Sequence, residues 1–388
     1  MRVKKYTTRI IFALAAMTIC CSCSDKAVDN SSEIAALEKK IDKLTAKIES
    51  LSDNVNNLSD DEIEYDYDIH EIYDDTAVIK AYKSGDSSEL NDKDLFIYKG
   101  LKGAINEIID EDMSEYEKEK AVYDYIFLNT RFDESSLDAI TDSDSDDSAS
   151  PYGFFHDHSV ICVGDATTFK LFMDALDIEC TVVHSTENGE HAWNQVNIDG
   201  DWYHVDIMMD YGDKEAAYAY FNVPDSVKEL GDYPWDHSDE SDIKCTSTKL
   251  CYICNNAERL DDIYQLPQKL SEFTDSDNTA VYYCIDVPVG ADAAVVQKQV
   301  QSVLSTMVSQ YDEFIPLNAV ADENRKRVCF GVSAFDVEED DLDDFYDEDN
   351  EPENGIEIDF EKLEENFTEY LGELYDDYSF EYYDEYDE

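Results

Sequence analysis

Glu190-His191-Ala192-Trp193-Asn194-Gln195-Val196-Asn197-Ile198-Asp199-Gly200-Asp201-Trp202-Tyr203-His204-Val205-Asp206 is the stretch that decides the fold. Asp199-Gly200 is a strong two-residue hairpin turn, so Ala192 to Ile207 reads as two antiparallel strands. That turn sets Ile198 opposite Asp201 and, counting back, Trp193 opposite Asp206. Side chains alternate with period two, which gives His191 the face of Trp193 and makes it the diagonal neighbour of Asp206. The imidazole and the carboxylate are therefore expected to meet on one face of a sheet. His204 shares the Asp206 face by the same alternation and reads as a packing or surface residue.

Upstream, Cys162 opens a run in which Ala166, Phe169, Met173 and Leu176 recur with helical period, and Cys162 lies one turn before Ala166 on that stripe. A helix packed on the His191 face would bring the thiol to the other side of the ring. Its place at a helix N-terminus favours thiolate, and a neighbouring imidazolium favours it further. Thiol, imidazole and carboxylate in this order supply a nucleophile (Cys162), its base (His191) and the base's orienter (Asp206), as a cysteine acyl-transfer enzyme uses them. His184, His156 and His158 carry no such pattern. His156-Asp157-His158 lacks further ligands at metal spacing and reads as a loop. No cofactor or metal is implied.

These residues resemble the transglutaminase-like branch of the papain-like cysteine enzymes. The family's Cys-x-Gly-aromatic-Ala segment is matched by Cys162-Val163-Gly164-Asp165-Ala166, its His-Ala-Trp-Asn segment by His191 to Asn194, and its Trp-Tyr-x-x-Asp segment by Trp202 to Asp206. Tyr116 through Ile126 to Asp133 is similar to the helix that precedes the nucleophile, and Tyr220 to Asp225 to the closing strand. The likeness runs from about Asp94 to about Asp236. Two departures stand beside the triad: Asp165 replaces an aromatic residue, and Ile207-Met208-Met209 replaces Pro-Thr-Trp. The resemblance implies an α+β fold with a papain-like core, the Cys-bearing helix packed on an antiparallel sheet; the residue patterns on either side add a coiled-coil helix before it and a small α/β module after it.

Arg2, Lys4, Lys5 and Arg9 precede the apolar stretch Ile10 to Ile19, too short to span a bilayer and shaped like a secretory signal. Cys20-Cys21-Ser22-Cys23-Ser24 follows and resembles a bacterial lipoprotein signal over 1–23, with Cys23 as the lipidated residue. A simple secretory signal is the alternative. Over 31–59, Ile34, Ile41, Ile48 and Val55 occupy one heptad position and Leu37, Leu44, Leu51 and Leu58 the other. This pattern favours a parallel homodimer, with a trimer still open, roughly 40 Å long. A lone amphipathic helix folded onto the globular part is the other reading.

The expected catalytic domain is 60–240, the α/β module 241–335 and an acidic, Tyr-rich, partly disordered tail 336–388. In the module, Ala280 to Val287 and Arg327 to Val332 read as strands. Ala291 to Tyr311 reads as a helix with Val295, Val296, Val300, Val303, Leu304 and Met307 inward, and Glu361 to Leu374 as one further helix. With 29 basic against 93 acidic residues and a net charge of −64, nucleic acid and anionic lipid are excluded as binding surfaces, which leaves the lipid anchor as the membrane contact. Asp142 to Asp147 lacks the glycine and glutamate of a calcium loop. It reads as a flexible acidic insertion beside the cleft that disfavours acidic substrates.

Without 1–23 the cysteines are Cys162, Cys180, Cys245, Cys251, Cys254, Cys284 and Cys329. That set fits one free nucleophile with up to three disulfides, or buried thiols throughout. Cys251-Tyr252-Ile253-Cys254 stands without a partner pair in the sequence and is a weak zinc or redox signal. The expected function is a cysteine enzyme on the outer face of the bacterial membrane, acting on amide bonds of peptides or proteins by hydrolysis or cross-linking. An inactive scaffold or adhesion module is the alternative.

Overall fold

Among the elements of the computed structural model, those that position the site begin with three helices: α1 (Thr76–Ser84), α2 (Asp92–Ile108) and α3 (Glu115–Asn129). The structure describes residues 72–132, 147–185, 191–210, 218–231, 233–235, 243–274, 276, 278–311, 313–334 and 354–379. The signal, Cys23, the heptads and the acidic run 142–146 lie outside them. Helix α3 starts at a reciprocal cap, in which Ser114 Oγ accepts from Glu117 N and Glu117 Oε2 accepts from Ser114 N. Strands β1 (Arg131–Phe132) and β2 (Ser159–Val160) pair in parallel and bracket α4 (Pro151–Asp157). Helix α5 (Cys162–Ala175) follows at once.

The first sheet is antiparallel in the order β3 (Cys180–His184), β4 (Ala192–Ile198), β5 (Asp201–Val205), β6 (Phe221–Val223). Ile198 pairs with Asp201 and Asn194 with Val205, the register that the Asp199-Gly200 turn requires. Both turn residues have positive φ, 53° and 88°. The helices pack on this sheet through a core that includes Leu101, Tyr123, Ile126, Phe169, Phe172, Val196, Tyr203 and Phe221. Helix α5 was expected to bury one stripe. Instead Val163, Gly164, Asp165, Thr167, Thr168, Leu171 and Phe172 are buried with Ala166, Phe169 and Met173, while Leu176 is half-buried at the end. Neighbours cover the helix on nearly every side, so an apolar stripe understates its burial.

The second sheet has the order β10 (Val320–Asp322), β11 (Arg327–Ser333), β8 (Ala280–Asp286), β7 (Glu258–Arg259), with β9 (Ile315–Pro316) also on β11. It is covered by α8 (Leu266–Thr274), α9 (Ala293–Met307) and α10 (Phe360–Ser379). In α9, Val296, Val300, Val303 and Leu304 are buried, whereas Val295 and Met307 are half-buried. Buried Gln297 takes a core position by donating to the carbonyls of Ala319 and Ser226. The helix expected over Glu361 to Leu374 is α10. Its Leu363, Phe367 and Leu371 are buried in the second core, so part of the acidic tail packs on the module.

Two short helices lie between the sheets in the chain, α6 (Asp225–Lys228) and α7 (Tyr252–Asn256). A third cluster, Val223, Val227, Cys251, Ile253, Cys254, Cys284, Val320 and Cys329, takes residues from both parts. Asp68–Glu388 accordingly forms one compact unit.

Buried Glu119 on α3 accepts from Asn222 Nδ2 at 2.9 Å. Burial pushes its carboxyl up to about 8, against that hydrogen bond. Glu119 Oε1 and Asn222 Oδ1 are both buried acceptors without a hydrogen bond among the described residues.

Two outcomes follow for stability. Gly200→Val forces a β-branched residue to positive φ with open space around its Cβ, so backbone strain of about 1–3 kcal/mol is the whole effect. Gly200→Asn should recover most of it in urea unfolding; equal stability of the valine variant and wild type would contradict a left-handed turn. Because Glu119 titrates higher folded than unfolded, the folded state holds the extra proton, and stability falls as pH rises from the usual carboxyl range to about 8. The slope is up to roughly 1.4 kcal/mol per pH unit. Glu119→Gln should flatten it in a series of urea midpoints between about pH 5 and 8.

Candidate functional site

His191 and Asp206 come together where the register puts them. One step past the pair Asn194–Val205, Asp206 stands diagonal to His191, and His191 Nε2 lies 2.8 Å from Asp206 Oδ2. Both residues are buried, at 5 % and 1 % exposure. With Nε2 engaged by the carboxylate, Nδ1 is the ring nitrogen left for a thiol. The His191 backbone is tied to Ser185 by exchange of N–H bonds, His191 N to Ser185 Oγ and Ser185 N to the His191 carbonyl, both 2.9 Å.

Half-buried Cys162 is the first residue of α5 and packs in a small apolar cluster with Ala149, Ile161, Val163, Ala166 and Ala192, the residue after His191. Two other family positions explain how α5 is held. Asn194 Nδ2 donates to the Ala166 carbonyl at 2.9 Å and to the Thr181 carbonyl at 3.2 Å, bolting the helix to β4 and β3. A Cβ on Gly164 would lie 2.1 Å from the Ser148 carbonyl oxygen, which also accepts from Ile161 N. The first turn of α5 can sit against that loop because residue 164 has no side chain.

Lys228 was not foreseen. It is 4 % exposed on α6, its Nζ donates to Asp206 Oδ2 at 2.7 Å, and it stands 4.1 Å from the centre of the Trp193 ring and 5.1 Å from that of Tyr220. Burial alone would raise the Asp206 pKa. The charges and hydrogen bonds of Lys228 and His191 outweigh it and hold the carboxyl well below the usual range. The Asp206 Oδ1 atom accepts weakly from Met209 N at 3.4 Å. No spacing rule flags a single lysine a few residues after the closing strand's proline.

His204 is a packing residue, as expected. Its Nδ1 accepts from Trp193 Nε1 and its Nε2 donates to Asp225 Oδ1, both at 2.9 Å, and burial shifts its pKa down. Two aromatic residues unmarked in the sequence finish the layer: Tyr233 lies 4.4 Å from the His191 ring, and Trp235 meets Trp193 edge-on at 5.8 Å. The two departures from the family pattern also meet. Asp165, Ile207 and Met208 line one tight crevice with Ala166, Ala192, Trp193, Asn194 and Asp206. His156 bonds to Asp157, His158 caps α4 in a left-handed conformation, and neither belongs to a metal-type cluster among the described residues.

Residues 102–207 match the transglutaminase-like superfamily, a span that includes Cys162, His191 and Asp206. No curated protein matches the chain. Similar solved structures include a TGase, with 21% identity over 33% of this chain and 36% of that one, TM-score 0.26. Another is a candidate cysteine protease from Cytophaga hutchinsonii, with 19% identity over 31% and 43%, TM-score 0.23. A third is a candidate protease from Parabacteroides distasonis, with 10% identity over 67% and 52%, TM-score 0.22. The chain spans about a third to a half of the length of these proteins. Residues 102–207 are thus transglutaminase-like, within a mixed α+β fold.

Lys228→Met keeps the length of the side chain and deletes its charge. Leaving Asp206 with one partner should cost about 3–5 kcal/mol. A depressed carboxyl stabilises the fold above its unfolded pKa and loses that contribution as pH falls, so the variant should also unfold at higher pH on acid titration. A variant with wild-type stability at neutral pH and an unmoved acid transition would show that Lys228 does not hold the carboxylate.

Proposed function

We propose that the transglutaminase-like domain is a cysteine acyl-transfer enzyme acting on amide bonds of peptides or proteins. The observation that carries this reading is the buried 2.8 Å contact of His191 Nε2 with Asp206 Oδ2, next to a helix that begins with half-buried Cys162. In this mechanism the Cys162 thiolate attacks the amide carbonyl carbon, forming a C–S bond. The Cys162 backbone N–H at the start of α5 is one donor to the developing oxyanion. His191 returns the thiol's proton to the leaving amine as the C–N bond breaks, and Asp206 orients the ring and stabilises its charged form. Water then resolves the thioester to an acid, or an amine resolves it to a new amide.

The same reading places the enzyme on the outer face of a bacterial membrane, anchored through lipidated Cys23 and held as a dimer or trimer by the heptads over 31–59. Its substrates would be neutral or basic, since the 142–147 run that precedes Cys162 in the sequence is acidic.

Screening the mature protein with peptide, glutamine–amine and cell-wall peptide substrates tests this. Cys162→Ala and His191→Ala should each abolish turnover, because thiol and base act as a unit, and Asp206→Ala should leave a weaker residual rate. Near neutral pH iodoacetamide should label Cys162 faster than any other thiol. Turnover that survives Cys162→Ala overturns the mechanism. Absence of both turnover and selective labelling favours the scaffold reading.

A further inference from the structure

The fold gives the CxxC segment the partner pair that the sequence withholds. Cys284 on β8 and Cys329 on β11 stand directly opposite each other. Working along the ladder from Val287 N bonding the Lys326 carbonyl, and from Ala334 N bonding the Thr279 carbonyl, both ends make this a non-hydrogen-bonded pair. Side chains of such a pair are close, with Cα atoms about 4.5 Å apart. The Cys284 carbonyl turns the other way and accepts from Leu260 N. Helix α7 lies on this face with Cys251 as its N-cap and Cys254 in its first turn. The Cys254 thiol interacts with those of Cys251 and Cys329, and Cys329 with Cys284. All four are buried, at 0 %, 1 %, 0 % and 0 % exposure, in one cluster walled by Val223, Val227, Ile253 and Val320.

We propose that Cys251, Cys254, Cys284 and Cys329 form a structural zinc site that fastens α7 to the second sheet. The chemistry of the donors selects the ion: four soft sulfur ligands from a CxxC turn and two adjacent strands suit zinc in a closed tetrahedral site. Thiolates bound to one zinc stand roughly 3.8 Å apart, given bonds of about 2.3 Å at the tetrahedral angle. The ligand atoms of Cys254, Cys329 and Asp322 lie within 4.8 Å of one another, whereas the thiols of Cys251 and Cys284 stand outside that group and must turn inward to complete the tetrahedron. Asp322 is the competing donor, but its oxygens accept hydrogen bonds from Thr248 Oγ1, Arg325 N and Arg325 Nη1, with Arg327 Nε in ion-pair range at 3.5 Å. Binding releases the four thiol protons to solvent and forms four Zn–S bonds, leaving two negative charges on the site. Arg327 is placed to offset them, with Nη1 3.8 Å from Cys284 Sγ and Nη2 donating to the Cys254 carbonyl at 2.6 Å. The other three-donor group, His204, Asp225 and Cys245, has no such freedom, because both imidazole nitrogens are taken by Trp193 and Asp225.

Cobalt(II) and zinc added to the reduced full chain test the site, with Cys162→Ala as background so that the thiol of the first site cannot contribute. The expected result is one metal ion per chain by elemental analysis, with the thiolate charge-transfer bands and strong visible bands of tetrahedral cobalt, displaced by zinc. Zinc should raise the thermal midpoint and a chelator lower it. Cys329→Ser and Cys254→Ser should lose the tetrahedral spectrum, whereas Cys245→Ser should keep it. If the serine variants do not fold, the spectrum of the Cys162→Ala chain decides alone. Absence of thiolate–cobalt absorption in that chain, or peptide mapping of the unreduced protein that finds Cys284–Cys329 or Cys251–Cys254 as disulfides, overturns the proposal.

Discussion

The Asp206 carboxylate has to stay ionised where water barely reaches, and much of the first sheet's surroundings follow from that demand. A lone buried carboxylate would take up a proton, because desolvation costs several kcal/mol. Asp206 Oδ2 instead faces two donors, His191 Nε2 and Lys228 Nζ. The hairpin register delivers the first and the short helix after β6 delivers the second. Trp193 then serves twice, because its ring lies under the Lys228 ammonium and its indole N–H fixes His204, which bonds to Asp225 at the head of the helix carrying Lys228. A closed circuit of buried polar groups results, in which removing one member leaves a charge or a donor without its partner.

The parts of this arrangement that the sequence exposes are those governed by local rules. Asp199-Gly200 dictates a turn, the turn dictates a register, and period two dictates which side chains share a face; His191, Asp206 and His204 fall where that counting puts them. Helical period likewise locates α5 and α9. It overstates how one-sided they are, since α5 is enclosed by the loop at Ser148, by the sheet and by other helices. Gln297 shows the same limit: a polar residue occupies a core position because carbonyls from two distant segments converge on it.

What stays hidden depends on contacts between distant segments. Lys228 reaches Asp206 across 22 positions and Tyr233 covers His191 across 42, and no pattern in one sequence links such pairs. The cysteines are a sharper case. Cys251 and Cys254 announce themselves by spacing, but Cys284 and Cys329 are 45 residues apart and become neighbours only through strand pairing. The replacements at Asp165 and at Ile207-Met208 read as two unrelated departures, yet they line one crevice beside Asp206.

The second sheet matters to the first because of where the chain passes between them. Val223 ends β6 and Val227 belongs to α6, and both lie in the apolar cluster that holds Cys251, Cys254, Cys284 and Cys329. Lys228 is the next residue after Val227. Its ammonium can be kept against Asp206 because Val227 is anchored in that cluster, while Gln297 of α9 grips the Ser226 carbonyl one residue earlier. A four-residue helix could not by itself hold a lysine in an apolar place at the cost of its hydration. The anchoring comes from the module, so the module's packing and the ionisation of Asp206 are coupled through one turn of chain.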